Sequence, residues 1–97
     1  MPLFVAILTV PRAELAAFRA YEHAAAQIMA RHHGAIERAL VLDDGGDTLR
    51  ELHVVRFATA DDFTSYRTDP ALLALADVRT RCVLHTELLP ATDGPRY

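Results

Sequence analysis

Ala35-Ile36-Glu37-Arg38-Ala39-Leu40-Val41-Leu42-Asp43, then Asp44-Gly45-Gly46-Asp47, then Thr48-Leu49-Arg50-Glu51-Leu52-His53-Val54-Val55-Arg56-Phe57 is the stretch that decides the fold. Two strand-like runs flank a short turn in which glycine tolerates positive φ and aspartate bonds its own backbone, so a β-hairpin is expected. In the first run Ile36, Arg38, Leu40 and Leu42 share one parity, and Glu37, Ala39, Val41 and Asp43 share the other. In the second run, expected over Thr48 to Phe57, residues Glu51, His53, Val55 and Phe57 fall on one face.

Upstream of the hairpin, Leu3 to Val10 is a nearly continuous apolar run that suits a central strand covered on both faces. Pro11 and Glu14 favour the start of a helix, which is expected to run to about His33, with Gly34 as its left-handed stop. Along it Phe18, Tyr21, Ala25 and Ile28 recur at three- and four-residue steps, flanked by Leu15 and Met29, and form one apolar stripe. Downstream, Thr59-Ala60-Asp61-Asp62 matches a capping box that opens a second helix. Asp69-Pro70 interrupts that helix, and a further segment is expected over about Ala71 to Thr80. Cys82 to Leu89 completes the pattern as a fourth strand, and residues 91–97 form a polar tail.

The order is βαββαβ, one α+β domain of ferredoxin-like type spanning residues 1–97. Its four-stranded antiparallel sheet has the strand order 4-1-3-2, with helices on one face. Strands 1 and 4 are apolar on both parities, so the uncovered face needs a partner. A homodimer packing sheet on sheet is expected, forming a dimeric α+β barrel.

Composition excludes several classes of function. The net charge is −3 and there is no lysine, so clustered cations for a nucleic-acid surface are lacking. Cys82 is the only cysteine, which rules out an intrachain disulfide and makes the cytoplasm the default compartment. The first apolar run is too short for a membrane span. No phosphate loop, serine elbow, paired-cysteine motif or H-x-H or H-E-x-x-H spacing occurs, so no cofactor and no metal site is expected.

The segment from Glu51 to Leu72 resembles the domain-of-unknown-function 1330 family of the dimeric α+β barrel superfamily. Phe57, Thr59, Tyr66, Asp69 and Pro70 occupy the places of its strand-end phenylalanine, helix cap, aromatic residue and Asp-Pro step. Arg56 stands where that family carries an acid, and Leu72 where an aromatic residue often follows the proline. The resemblance implies the barrel fold. The wider superfamily includes antibiotic-biosynthesis monooxygenases, muconolactone isomerase-like enzymes and haem-degrading enzymes, so it implies several activities rather than one.

The candidates for chemistry are strand residues. His53 and His85 can each act as acid or base near neutral pH, with Glu51 and Glu87 two residues away on the same parity to orient them. With strand 1 between them, the two backbones would lie about 10 Å apart, within reach of one small substrate. The plain alternative is a pair of satisfied histidines at a sheet surface or dimer interface. Arg56 and Arg38 are candidates for holding a carboxylate or enolate, and Tyr21 and Tyr66 for pointing hydroxyls into a cavity. His32 and His33, at the end of the first helix, are read as solvated.

The leading expectation is a homodimer with a sheet–helix cavity performing cofactor-independent proton transfer, isomerisation or oxygenation on a small organic molecule. His53 would be the base, Arg56 or Tyr66 would steady the oxyanion, and His85 would assist. A non-catalytic ligand-binding or dimerisation module is the second reading, and haem or metal binding the third.

Overall fold

The computed structural model describes residues 1–97. The elements are β1 (Leu3–Pro11), α1 (Leu15–Arg31), β2 (Gly34–Leu42), β3 (Thr48–Phe57), α2 (Ala60–Arg67), α3 (Pro70–Leu73), α4 (Ala76–Cys82) and β4 (His85–Ala91), with a 3₁₀ turn at Arg12–Glu14 before α1. All pairings are antiparallel and the sheet order is β2-β3-β1-β4, the expected order read from the other edge. No helix is long and apolar enough to cross a membrane.

Local chemistry explains most boundaries. Thr59 accepts a hydrogen bond from the Asp62 amide at 3.1 Å and starts α2, while Asp69 accepts from the Ala71 amide at 2.8 Å and starts α3 with Pro70 in its first turn. At the hairpin tip, Gly45 takes φ +88°. Arg12 reaches across to donate to Asp43 at 3.0 Å and to the Gly46 carbonyl at 2.7 Å.

Three boundaries differ from expectation. Proline at position 11 ends β1 rather than opening the helix, because the chain must turn through Arg12–Glu14 before α1 can lie on the sheet. The left-handed residue after α1 is His33, with φ 57°, not Gly34. Gly34 is required for a different reason: it begins β2, and a Cβ there would stand 2.6 Å from Phe57 Cδ1 and 2.7 Å from Met29 Cγ. The last helical segment splits into α3 and α4, and α4 runs through Cys82, so β4 begins only at His85.

The bulge in β2 has the largest consequence. The β2–β3 register slips between Ile36 and Arg38, so the parity carried through from Ile36 to Leu42 breaks at Glu37. Ile36 pairs with Val55 on the helix side, whereas Arg38, Leu40 and Leu42 pair with Val54, Leu52 and Arg50 on the other. That side is bare. The molecule measures 41 × 36 × 16 Å, a single sheet with one helical layer, and Leu40, Leu42 and Leu89 stay at least 38% exposed.

The helix side holds two clusters of buried residues. One contains Leu8, Val10, Phe18, Tyr21, Ala25, Cys82 and Val83, and the other Met29, Val55 and Phe57 with Phe4, Ile36, Phe63 and Tyr66 packed on them. Phe63 stacks on Phe4 at 4.4 Å and meets the edge of Phe57 at 5.3 Å. Residues of both clusters border the cavity described next.

Candidate functional site

On β3 alternation turns Leu49, Glu51, His53, Val55 and Phe57 toward the helices, and all five are buried. On α1 the buried stripe runs Phe18, Tyr21, Ala25, Ile28 and Met29, and Glu22 falls in register with it at the next three- and four-residue steps. Where strand and helix cross, two acids and an imidazole meet. Glu22 and His53 border a cavity of about 480 Å³, whose walls include Leu8, Met29, Val55, Phe57, Phe63 and Leu72 and whose polar lining also includes Tyr21, Tyr66, Arg67, Arg79 and Thr86.

His53 has a carboxyl group on each side. Its Nε2 lies 2.9 Å from Glu51 Oε1, and its Nδ1 lies 3.7 Å from Glu22 Oε2, too far for a direct hydrogen bond. Glu51 is itself tied to Arg19, whose Nε lies 2.9 Å from Oε2. An ionised carboxylate only accepts, so the Glu51 contact places a proton on Nε2, and in a neutral ring the Nδ1 lone pair then faces Glu22. Burial pushes the Glu22 carboxyl above the usual carboxylate range, against the opposing pull of His53 and with a further push from Glu51. Burial likewise raises both tyrosine hydroxyls, with the Arg79 guanidinium opposing it at Tyr21 and the neighbouring Tyr21 adding to it at Tyr66. Both phenols therefore stay protonated and able to donate. Arg79 donates to Thr86 Oγ1 at 2.8 Å, and Arg67 lies over the Phe63 ring, 5.4 Å from its centre.

Of the residues singled out in the sequence, His53, Glu51, Tyr21 and Tyr66 converge here, with Glu51 behind His53. The expected His53–Glu51 pair forms. His85, Glu87, Arg56 and Arg38 do not converge. Across β1 the partner of His53 is Ala6 and that of His85 is Thr9, and an odd offset on a strand means opposite faces. One substrate in this cavity therefore cannot bridge the two histidines. Glu87 shares the bare face with His85, and both are exposed without forming a pair. Arg56 is also on the bare face, where it donates to Glu37 at the bulge, so it cannot steady an anion beside His53. Arg38, paired with Val54, faces away too.

His32 is not free in solvent. Its Nε2 lies 2.7 Å from Asp69 Oδ2, a contact that ties the end of α1 to the cap of α3. A shallow hollow of about 290 Å³ near the hairpin, lined by Thr9, Leu42 and Asp43 among others, contains none of the candidates.

Neither a family model nor a curated protein matches the chain. Solved structures do. SnoaB, a cofactor-independent oxygenase from Streptomyces nogalater, superposes with TM-score 0.69 and 18% identity over 98% of this chain and 95% of its own. A Nitrosomonas europaea protein named as a candidate antibiotic biosynthesis monooxygenase superposes with TM-score 0.72 and 15% identity over 96% and 98%. Atu4242 from Agrobacterium tumefaciens, a NIPSNAP family protein of unknown function, gives 0.73 and 16% over 97% and 94%. At these identities the likeness is one of fold, and the antiparallel ferredoxin-like sheet is what these proteins share.

Glu22, Arg19 and Arg79 were missed in the sequence. A signal for Glu22 was present, since a lone acid inside an apolar helical stripe is a buried acid. Arg19 and Arg79 carried none, because what they touch depends on how α1 and α4 cross the sheet.

Proposed function

We propose that the cavity performs cofactor-independent proton abstraction on a small, largely apolar organic molecule, as the first step of an isomerisation or oxygenation. The observation that carries this reading is the His53 imidazole fixed by Glu51 at Nε2, with Nδ1 hydrogen-bonded to no protein group and 3.7 Å from Glu22, beside an apolar cavity that both residues line. In the proposed step Nδ1 takes a proton from a C–H or O–H group and the electron pair stays on the substrate as an enolate or phenolate. The Tyr66 hydroxyl and the Arg79 guanidinium steady that charge, in the place first assigned to Arg56. Return of the proton at another carbon completes an isomerisation. In an oxygenation, dioxygen is the second reactant: it forms a C–O bond to the deprotonated carbon, the resulting peroxide takes back the proton, and O–O cleavage with loss of water leaves a carbonyl. The 1330-type segment supports the same site, since His53, Val55, Phe57, Phe63, Tyr66, Arg67 and Leu72 from it line the cavity.

We further propose that the bare sheet face, with Leu3, Val5, Ile7, Leu52 and Val54 at its centre, packs on a second copy in the cytoplasm. A thermal-shift screen with small phenols, enolisable ketones and aromatic carboxylates, followed by deuterium exchange of each hit, tests the catalytic reading. Exchange that depends on His53 supports it. Binding without exchange in the wild type would instead establish a ligand-binding module, a reading favoured by the Arg19–Glu51–His53 chain, which engages Nε2 as a purely structural histidine would be engaged.

A further inference from the structure

One face of α1 supplies groups to both sides of the His53 ring. Arg19 and Glu22 are three residues apart, so they lie on adjacent turns of one helix face. Arg19 reaches His53 through Glu51 on the Nε2 side, and Glu22 stands on the Nδ1 side. The gradient of exposure along this chain is steep: the Arg19 side chain is 53% exposed, Glu51 7% and His53 5%. A surface ion pair contributes little, but here the anion is buried, and a buried carboxylate must be compensated by a cation or a proton.

We propose that Arg19 is a positioning residue for His53, compensating the Glu51 carboxylate so that His53 need donate only one proton to it and keeps Nδ1 unprotonated toward the cavity. Its catalytic meaning rests on His53 being the base; its effect on the ring does not. Without Arg19 the sole remaining partner of Glu51 is His53. The buried carboxylate is then best compensated by a full imidazolium, whose second proton occupies the lone pair that a base needs. The other charged or titratable groups that line the cavity with His53 are Glu22 and Tyr21 from α1, Tyr66 and Arg67 from α2 and Arg79 from α4. The neighbouring β1 and β2 positions, Ala6 and Ala39, carry none, and β4 contributes only the Thr86 hydroxyl and Leu88. Glu22 provides no substitute cation, and Arg79 is engaged with Thr86 rather than Glu51.

Nitrogen NMR of the full chain with labelled histidine rings reads this directly, the His53 signals being those missing from the spectrum of His53→Gln. Near neutral pH the wild type is expected to show a protonated Nε2 and an unprotonated Nδ1. Arg19→Gln should replace part of the unprotonated Nδ1 signal by that of a doubly protonated ring. Arg19→Lys should restore it. Arg19→Met, which keeps the apolar stem, repeats the test if the glutamine variant folds poorly. An unchanged ring pattern in the folded neutral variants, or Nδ1 protonated in the wild type, overturns the proposal. Deuterium exchange separates the two readings: a wild type without exchange whose ring still responds to Arg19 sinks the catalytic assignment and keeps the positioning role. Exchange with a ring indifferent to Arg19 does the reverse.

Discussion

His53 and His85 stand on opposite faces of one sheet, because their partners on β1, Ala6 and Thr9, are three residues apart. The face of His53 is covered by helices and bears a cavity; the face of His85 is bare. This divides the candidate residues into two groups that mutation should separate.

His85→Ala and Arg56→Ala are expected to leave binding of a cavity ligand unchanged, and to alter only self-association. Thermal shift with a ligand from the screen checks the first part, and sedimentation the second. By contrast, His53→Ala should lower turnover roughly 10²- to 10⁴-fold, the usual contribution of a positioned base, with binding largely retained. A cavity ligand whose affinity falls on replacing His85 would contradict the assignment of faces.

Val54→Glu places a charge in the middle of the bare face, opposite Val5. The expected result is a monomer by sedimentation, with the cavity and its ligand binding intact. A protein that is monomeric before the change would show that this face has no second copy on it.

Glu22 gives stability a downward slope on its alkaline side. Its folded pKa is raised above the unfolded value by burial, so the folded state holds the proton more tightly. Its contribution is therefore fully present below the ordinary carboxylate range and declines as the pH rises through the raised value. Glu22→Gln should flatten that decline in urea denaturation measured across pH. An unaltered slope would mean that Glu22 ionises at no cost.

Asp43 and Asp69 have the opposite sign. The Arg12 guanidinium, helped by the Gly45 amide, holds Asp43 down to about 2, and His32, helped by the Ala71 amide, holds Asp69 below its usual range. Their contribution is present above the unfolded carboxylate value and is lost as the pH falls through the depressed ones. His32→Ala should reduce the acid-side loss attributable to Asp69 and loosen α3 against α1, visible as faster amide exchange at Ala71. Equal protection in variant and wild type would make the contact incidental.

Gly34→Ala is expected to cost roughly 1–3 kcal/mol, the range for overpacking, because the new methyl group meets Phe57 and Met29. Chemical denaturation measures it. Wild-type stability would show that the Phe57 ring can step aside.

The sequence alone determined the elements and their order. Alternation on β3, the Asp44-Gly45-Gly46-Asp47 turn and the caps at Thr59 and Asp69 are local chemistry, and each acts where it was expected. It also determined that Glu51 and His53 share a face, since a period of two needs no partner strand. Tertiary structure alone decided the rest of the site. The bulge at Glu37 redirected β2, the late start of β4 and its register against β1 put His85 on the bare face, and the crossing of α1 over β3 brought Arg19 and Glu22 to His53. Register and helix crossing are set by packing between segments distant in sequence, so no run of neighbouring residues records them.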